Sequence, residues 1–337
     1  SGISLGDIDF SLDVSAFGTD GYAYSESLPF SVEVSLNQVG FPYDTNSEIK
    51  STPVVVDLDN DGDNEIIFAD YFGNVRVMQD GVELDNGLFP YDTGNQIWGS
   101  VSSADVDLDG YEDFVVSSKS GHLYIFDING LKVDYDAGRW LIATPVIGNI
   151  DSDPELEIVV GGYQSPTSTS PLFAINHDGT SVAGFPYIVG EKIKSGVALA
   201  DMNDNGIDDI VFGTDGDNLY VLLDNLTIAP GFPFTADDKF LYSPVLVDDG
   251  QDKIIIIPCE NNHIYGILNN GTLQFNIDTH FDLESSVSIN TYQNNIAFFI
   301  NTDQIHGYNL DGELIYIGPS LDNDQVGSVI FSDLDID

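Results

Sequence analysis

The sequence predicts an all-β fold: a seven-bladed β-propeller of four-stranded blades, its last blade truncated, preceded by a short β segment. Three observations predict it. A unit of about 46 residues recurs along most of the 337-residue chain, a period that signals repeat architecture. Each unit carries short apolar runs of strand length, separated by clusters of Gly, Asp, Asn and Pro. Helical 3.6-residue periodicity is missing throughout, which disfavours an α-solenoid of similar period.

In chain order, residues 1–39 alternate apolar and polar (ISLGDIDFSLDV, then PFSVEVSL) without an acidic turn. They read as the end of a preceding β-sandwich domain or as linker strands. A second reading, in which Pro29 to Tyr43 supplies the closing outer strand of the last blade, stays open. The propeller is expected over 40–337. Its units start at Thr52 (TPVVVDLDNDGDNEIIFAD), Ser100, Thr144 and Ser195, with weaker copies at Ser243 and Ser286 and a seventh start at Ser328. In each, an apolar strand enters a short acidic turn and a second apolar strand leaves it. A third strand follows (NVRVMQ, HLYIFD, LFAIN, NLYVLL, HIYGIL, IHGYNL), and a fourth is expected just before corners at Gly40-Phe41-Pro42, Leu88-Phe89-Pro90, Gly184-Phe185-Pro186 and Gly231-Phe232-Pro233. Four short strands per unit make one propeller blade, and radial closure leaves only short, protected edges. The seventh unit stops after one strand, and the chain opens at Ser1 without Met or signal peptide. An excerpt of a longer secreted protein, or a processed N-terminus, is therefore expected.

Composition narrows the function. Asp and Glu number 56 against 9 Lys and Arg, a formal charge of −47. No basic stripe exists to meet a phosphate backbone, and an anionic membrane surface would repel the chain. No apolar run reaches the roughly 18 residues of a spanning helix. With 42% hydrophobic residues the chain builds a core, so the acidity belongs to a folded protein. Cys259 is the sole cysteine, which excludes a disulfide framework.

The acidity concentrates in the turns. The first is Asp57-x-Asp59-x-Asp61-Gly62-Asp63-x-Glu65 and the second Asp105-x-Asp107-x-Asp109-Gly110-Tyr111-x-Asp113. The third is Asn149-x-Asp151-x-Asp153-Pro154-Glu155-x-Glu157, and the fourth Asp201-x-Asn203-x-Asn205-Gly206-Ile207-x-Asp209. Positions 1, 3, 5 and 9 converge side-chain oxygens, and position 7 offers its backbone carbonyl. Such a cluster is repulsive without a cation, and an all-oxygen set suits Ca²⁺ as a structural ion. An EF-hand would need Glu at position 12, where Phe68 and Val116 stand. Falling ligand charge predicts site strength ordered first and second, then third, then fourth. The fifth and sixth turns lack the pattern. Sites of modest affinity fill at extracellular calcium levels, and four divalent ions would offset only about 8 of the negative charges. A secreted or cell-surface location is expected.

The strand–DxDxDGxx[DE]–strand unit resembles the FG-GAP/VCBS family of calcium-bearing propeller repeats, which is similar to the head of integrin α chains. The resemblance covers residues 40–337. It implies a seven-bladed propeller with calcium loops between strands 1 and 2 on one face, ligands engaged on the other, and ion-holding roles for positions 1, 3, 5, 7 and 9 of the four turns. Pro29 to Ser51 also resembles the junction before such propellers in large secreted bacterial proteins, some with a subtilisin-like protease domain upstream.

On the opposite face, the loops entering strand 1 hold five of the nine basic residues, Lys50, Arg139, Lys192, Lys194 and Lys239, and both tryptophans, Trp98 and Trp140; Lys119 lies in a neighbouring loop. Trp98, Arg139, Trp140, Lys192, Lys194 and Lys239 are candidates for binding an acidic glycan or protein through aromatic stacking and cationic donors. The alternative is that the tryptophans plug the central channel as core. The function expected is a non-catalytic calcium-binding module for adhesion or ligand binding. The alternatives are a lyase-like polysaccharide-active domain and a structural accessory domain of a secreted protease. His122, His263 and His306 fall at matching places in the third strands and read as repeat-encoded structure. No GxSxG, HExxH or CxxC motif occurs.

Overall fold

The computed structural model describes residues 6–17, 23–34, 40–163, 170–283, 285–292, 295–318 and 329. The seventh unit therefore lies outside the described residues except for Val329. Among those described, 28 strands and no helix are found. β1 (Gly6–Phe17) and β2 (Ala23–Val34) pair antiparallel as a long hairpin.

Six antiparallel sheets follow, one per repeat. Blade 1 comprises β3 (Val54–Val56), β4 (Glu65–Ala69), β5 (Asn74–Gln79), β6 (Val82–Glu83) and β7 (Tyr91–Asp92). Blade 2 comprises β8 (Ser102–Ala104), β9 (Asp113–Ser117), β10 (His122–Asp127) and β11 (Gly130–Asp136). Blade 3 adds a short β12 (Trp140–Leu141) to β13 (Val146–Gly148), β14 (Glu157–Tyr163), β15 (Ser170–Ile175) and β16 (Tyr187–Val189). Blade 4 holds β17 (Ala198–Ala200), β18 (Asp209–Gly213), β19 (Asn218–Leu222) and β20 (Phe234–Thr235). Blade 5 holds β21 (Val245–Asp248), β22 (Lys253–Pro258), β23 (His263–Leu268) and β24 (Leu273–Asp278), and blade 6 β25 (Ser288–Tyr292), β26 (Asn295–Asn301), β27 (Ile305–Asn309) and β28 (Leu314–Ile317).

The second strands read as unbroken apolar runs because both of their faces are covered, yet the period of two still operates. In β18, Ile210 and Phe212 join the core shared with blade 3, whereas Val211 joins the core shared with blade 5. In β22, Ile254 and Ile256 face blade 6 while Ile255 and Ile257 face blade 4. Five such cores join the six blades in succession. The short first strands contact one another in the order β3, β8, β13, β17, β21, so the blades radiate from a shared inner edge. The residues that open the units lie there and link neighbours: Thr52 N–H donates to Ser100 Oγ (3.0 Å), Ser100 N–H to Thr144 Oγ1 (2.9 Å) and Ser243 N–H to Ser286 Oγ (3.0 Å).

The fourth strand departs from expectation. In blades 3 and 4 it is split by the corner: a single bridge precedes it (Ile175 with Ser181, Leu222 with Ile228), and β16 and β20 follow it. In blade 1, β6 precedes the corner and β7 follows. All four corners contain a cis Phe-Pro bond. Blades 2, 5 and 6 lack the corner and keep continuous fourth strands relieved by a register shift. The pattern escaped the sequence reading because a two-residue strand carries no periodicity.

Candidate metal centres and the opposite face

Each acidic turn is the loop between the first and second strands of its blade, and it is built from two anchors. The first is the apolar residue at position 2. Leu58, Val106, Ile150 and Met202 are all buried in the cores between blades. The second is the position-9 acid, which begins the second strand, is buried in all four turns, and accepts the backbone N–H of that same position 2. Glu65 Oε2 takes Leu58 N–H at 2.9 Å, Asp113 Oδ2 takes Val106 at 3.3 Å, Glu157 Oε2 takes Ile150 at 2.9 Å and Asp209 Oδ2 takes Met202 at 2.9 Å. One carboxylate oxygen thus closes the loop, and what the other oxygen meets differs from turn to turn. The recurring apolar position 2 was visible in the sequence, but its role was not.

Position 1 cradles the far side of the loop. Asp57, Asp105 and Asp201 each accept the N–H of position 5 on one oxygen and of the position-6 glycine on the other, the latter at 2.9, 2.8 and 2.7 Å. These three turns share positive φ at positions 4 and 6 (Asn60 and Gly62, Leu108 and Gly110, Asp204 and Gly206). Position 7 donates its N–H to position 5 from Asp63, Tyr111 and Ile207, at 2.8, 2.9 and 2.9 Å to Asp61, Asp109 and Asn205. The third turn cannot follow. Pro154 has no N–H to give and a φ fixed near −65°. Its position 1 is correspondingly an amide, and Asn149 Nδ2 donates to the Asp153 carbonyl at 2.9 Å.

Three turns bring acidic oxygens within 4.8 Å of one another: Asp57, Asp59 and Asp61; Asp105, Asp107 and Asp113; and Asp151, Asp153 and Glu157. Glu155 stays at the half-exposed edge beside Asp153. In the first turn Glu65 is fully buried and its Oε1 has no hydrogen-bond partner. Burial raises the Glu65 carboxyl above its usual range, and burial pushes Glu157 up to about 7. The all-oxygen donor set and the orphaned Glu65 oxygen fit a hard divalent cation in the first turn. In the second turn, Lys132 Nζ of β11 lies 2.7 Å from Asp107 Oδ2 and 2.8 Å from Asp113 Oδ1. Burial pushes Asp113 up to about 6 against the pull of that lysine. In the fourth, both Asp209 oxygens are taken: Oδ1 accepts from Asp224 N–H and Asn203 Nδ2, Oδ2 from Met202 N–H. Lys253 Nζ binds the Asp201 carbonyl and, at 2.5 Å, Asp204 Oδ1.

At the other end of the sheets, the entering loops and the turns between second and third strands assemble an aromatic and cationic stripe. Lys50 Nζ lies 4.5 Å from the Tyr71 ring centre and 6.0 Å from that of Trp98. Lys119 Nζ lies 4.3 Å from Trp98 and 4.9 Å from Trp140, and it also donates to Gln96 Oε1 at 2.8 Å. Trp98 and Trp140 are 39% and 43% exposed, so neither is buried as a plug. Arg139 is exposed beside Trp140 and donates only to the Gly138 carbonyl among the described contacts. The other candidates do not join the stripe. Lys239 Nζ binds Glu260 at 2.8 Å, Lys194 Nζ lies 3.9 Å from Asp215, and the Lys192 backbone bonds Asp215. Tyr71 was missed, because a single aromatic in a tight turn carries no signal until the neighbouring loops are placed beside it.

The histidines are not gathered. His122 Nδ1 bonds Asp134 at 2.5 Å, His263 Nδ1 bonds Asn276 at 2.5 Å and His306 Nδ1 lies 3.1 Å from Thr302 Oγ1, each within its own blade. Cys259 is buried, and burial pushes its thiol up to about 11.

No family model matches the sequence, and no curated protein matches it. Among solved structures the chain is similar to BBS1N, crystallised in complex with ARL6DN and soaked with mercury, at 12% identity and TM-score 0.59 over 83% of this chain and 84% of that one. It is also similar to BamB from Moraxella catarrhalis, at 13% identity and TM-score 0.57 over 86% and 79%. Both are propellers, and the likeness shows the fold: an all-β propeller of antiparallel sheets.

Proposed function

We propose that the chain is a non-catalytic, calcium-stabilised, seven-bladed propeller of an extracellular protein, and that it captures an acidic partner on the face away from the calcium turns. The observation that carries the reading is the stripe in which exposed Lys50, Trp98 and Trp140 surround half-buried Tyr71 and Lys119. On a chain of charge −47 it gathers two of the nine cations around both tryptophans. Flat aromatic faces beside ammonium groups suit a carboxylate-bearing partner, and aromatic residues dominate binding energy where they are exposed in clusters. A propeller neighbour crystallised with a protein partner supports a protein ligand.

Calcium is the ion best matched to the acidic turns. Positions 1, 3, 5 and 9 would hold it, and it would supply the positive charge that lets buried carboxylates such as Glu65 stay ionised. Sites of this type fill at millimolar calcium, which favours an extracellular setting. A seventh blade is supported by the first corner. Leu88 of the blade 1 corner packs on Gly130 of blade 2, Gly184 of the blade 3 corner on Leu226 of blade 4, and Gly231 of the blade 4 corner on Asn270 and Gly271 of blade 5. Gly40 packs in the same way on Gly81 of blade 1, a contact that supports assigning this corner to the outer edge of a further blade.

The chain's only tryptophans are both in the stripe, so their fluorescence reports on it directly. Titration with poly-glutamate should change Trp emission, and Lys119→Ala should weaken binding by roughly tenfold while leaving the fold intact. A response to uronate oligosaccharides and not to poly-glutamate would reassign the ligand to a glycan. Unsaturated products from those oligosaccharides would replace the binding reading with a lyase. Silence toward every probe would sink the ligand face and leave a structural spacer.

A further inference from the structure

We propose that the four acidic turns divide into two classes: the first and third take a free divalent cation, whereas in the second and fourth a lysine of the chain itself supplies the positive charge. The inference rests on the calcium reading above and changes its expected order, since ligand charge alone ranks the second turn with the first.

The two turns of highest charge differ in what the outer strand brings to them. In blade 2, Lys132 reaches back from β11 and places one ammonium between the position-3 and position-9 carboxylates. Those are two of the four side chains a calcium ion would need. Lys132 Nζ donates to both carboxylates, so the ammonium is paired twice within the turn. In blade 1 the outer strand β6 is Val82-Glu83, and Glu83 is turned away to Arg76 and Tyr43. With no ammonium supplied, Glu65 Oε1 remains buried and unpartnered, and the Asp57, Asp59 and Asp61 oxygens of the same turn converge.

The third and fourth turns repeat the contrast. Among the described residues no lysine or arginine pairs with Asp151, Asp153 or Glu157, whose oxygens converge. In the fourth, Lys253 from the next blade binds the loop through Asp201 O and Asp204, and Asn203 donates into the position-9 acid that should serve the ion. A tethered ammonium satisfies such a loop at any calcium concentration. An incoming ion must displace it, and Ca²⁺ affinity falls with the charge left for it.

The test is calcium binding by titration calorimetry on the full chain and on Lys132→Gln, with Asp59→Asn, Asp105→Asn and Asp151→Asn as markers of the individual turns. The expected result is that Asp59→Asn and Asp151→Asn each remove an ion from the wild type and Asp105→Asn removes none. Lys132→Gln should gain one ion, or tighten the second turn by roughly tenfold, and Asp105→Asn should abolish that gain. Tyr111 gives an independent readout, because the other three turns carry no aromatic residue. Terbium emission sensitised by Tyr111, and lost in Tyr111→Phe, should be weak in the wild type and rise in Lys132→Gln. If Asp105→Asn removes a tight ion from the wild type, or Lys132→Gln changes neither stoichiometry nor terbium emission while calcium still binds, the division is wrong and the calcium reading stands. If neither wild type nor Lys132→Gln binds calcium, the calcium reading itself fails and takes the division with it. Should Lys132→Gln fold poorly, the Asp105→Asn comparison in the wild-type background decides.

Discussion

Glu65 has two jobs on two oxygens, and conservative substitutions separate them. Its Oε2 accepts the Leu58 N–H inside a fully buried setting, a structural duty, while its Oε1 has no partner in the protein. A Gln at 65 keeps an acceptor for Leu58 and loses the charge. An Ala loses both and leaves a buried N–H unsatisfied, at a cost of about 1–3 kcal/mol. In chelator, Glu65→Gln is therefore expected to match or exceed the wild type in denaturant midpoint, since a buried carboxylate without a counterion is itself unfavourable. Glu65→Ala should fall below both. In millimolar calcium the wild type should rise by binding to the folded state, and Glu65→Gln should not follow it. Equal calcium-dependent gains in wild type and Glu65→Gln would show that this oxygen does not serve the ion.

At the scale of elements, glycines of similar φ divide by what they face. Gly62 in the first turn has φ 96° and no atom within 4 Å of a would-be Cβ, whereas Gly231 in the blade 4 corner has φ 91° and Asn270 O only 2.1 Å from that point. Gly62→Ala should cost about 1 kcal/mol of conformational strain. Gly231→Ala adds a collision with the backbone of the next blade and should cost at least twice as much in equilibrium unfolding; equal losses would mean that the corner yields freely. The same contrast explains what could be read from the sequence alone. The period, the strands and the DxDxDG turns were legible because they are local patterns repeated in register. Lys132, Tyr71 and the splitting of the fourth strand were not, because each depends on which side chains adjoining strands and loops bring together. Lys119 lies against both Trp98 and Trp140, and Lys50, itself 3.7 Å from Glu48, lies against Trp98, whereas Lys194 and Lys239 pair with Asp215 and Glu260 and touch neither ring among the described contacts.

For the whole molecule the question is closure. Five cores join six blades, so an open arc would leave one flank of blade 1 and one of blade 6 without a neighbour. Each flank makes a contact beyond its own sheet. Tyr43, just after the first corner, packs edge-on against Phe68 at 6.2 Å and bonds Glu83 Oε2 at 2.6 Å, on the side of blade 1 that faces away from blade 2. At the far end, Ser288 Oγ donates to Val329 O at 2.5 Å, the same link that Ser102 makes to Pro145 O between blades 2 and 3. If Tyr43 and Val329 are the outer and inner strands of one blade, damage at either should loosen both flanks, because a blade that detaches exposes both neighbours together. Hydrogen exchange on Tyr43→Ala should then quicken not only in β4 and β5 but also in β25 and β26, nearly 250 residues away in sequence. Exchange confined to blade 1 would mean that the two ends belong to different blades, and the closed seven-bladed ring would have to be given up. Propagation to blade 6 without change in β18 or β19, in the middle of the series, would locate the effect in the shared blade rather than in a general loss of stability.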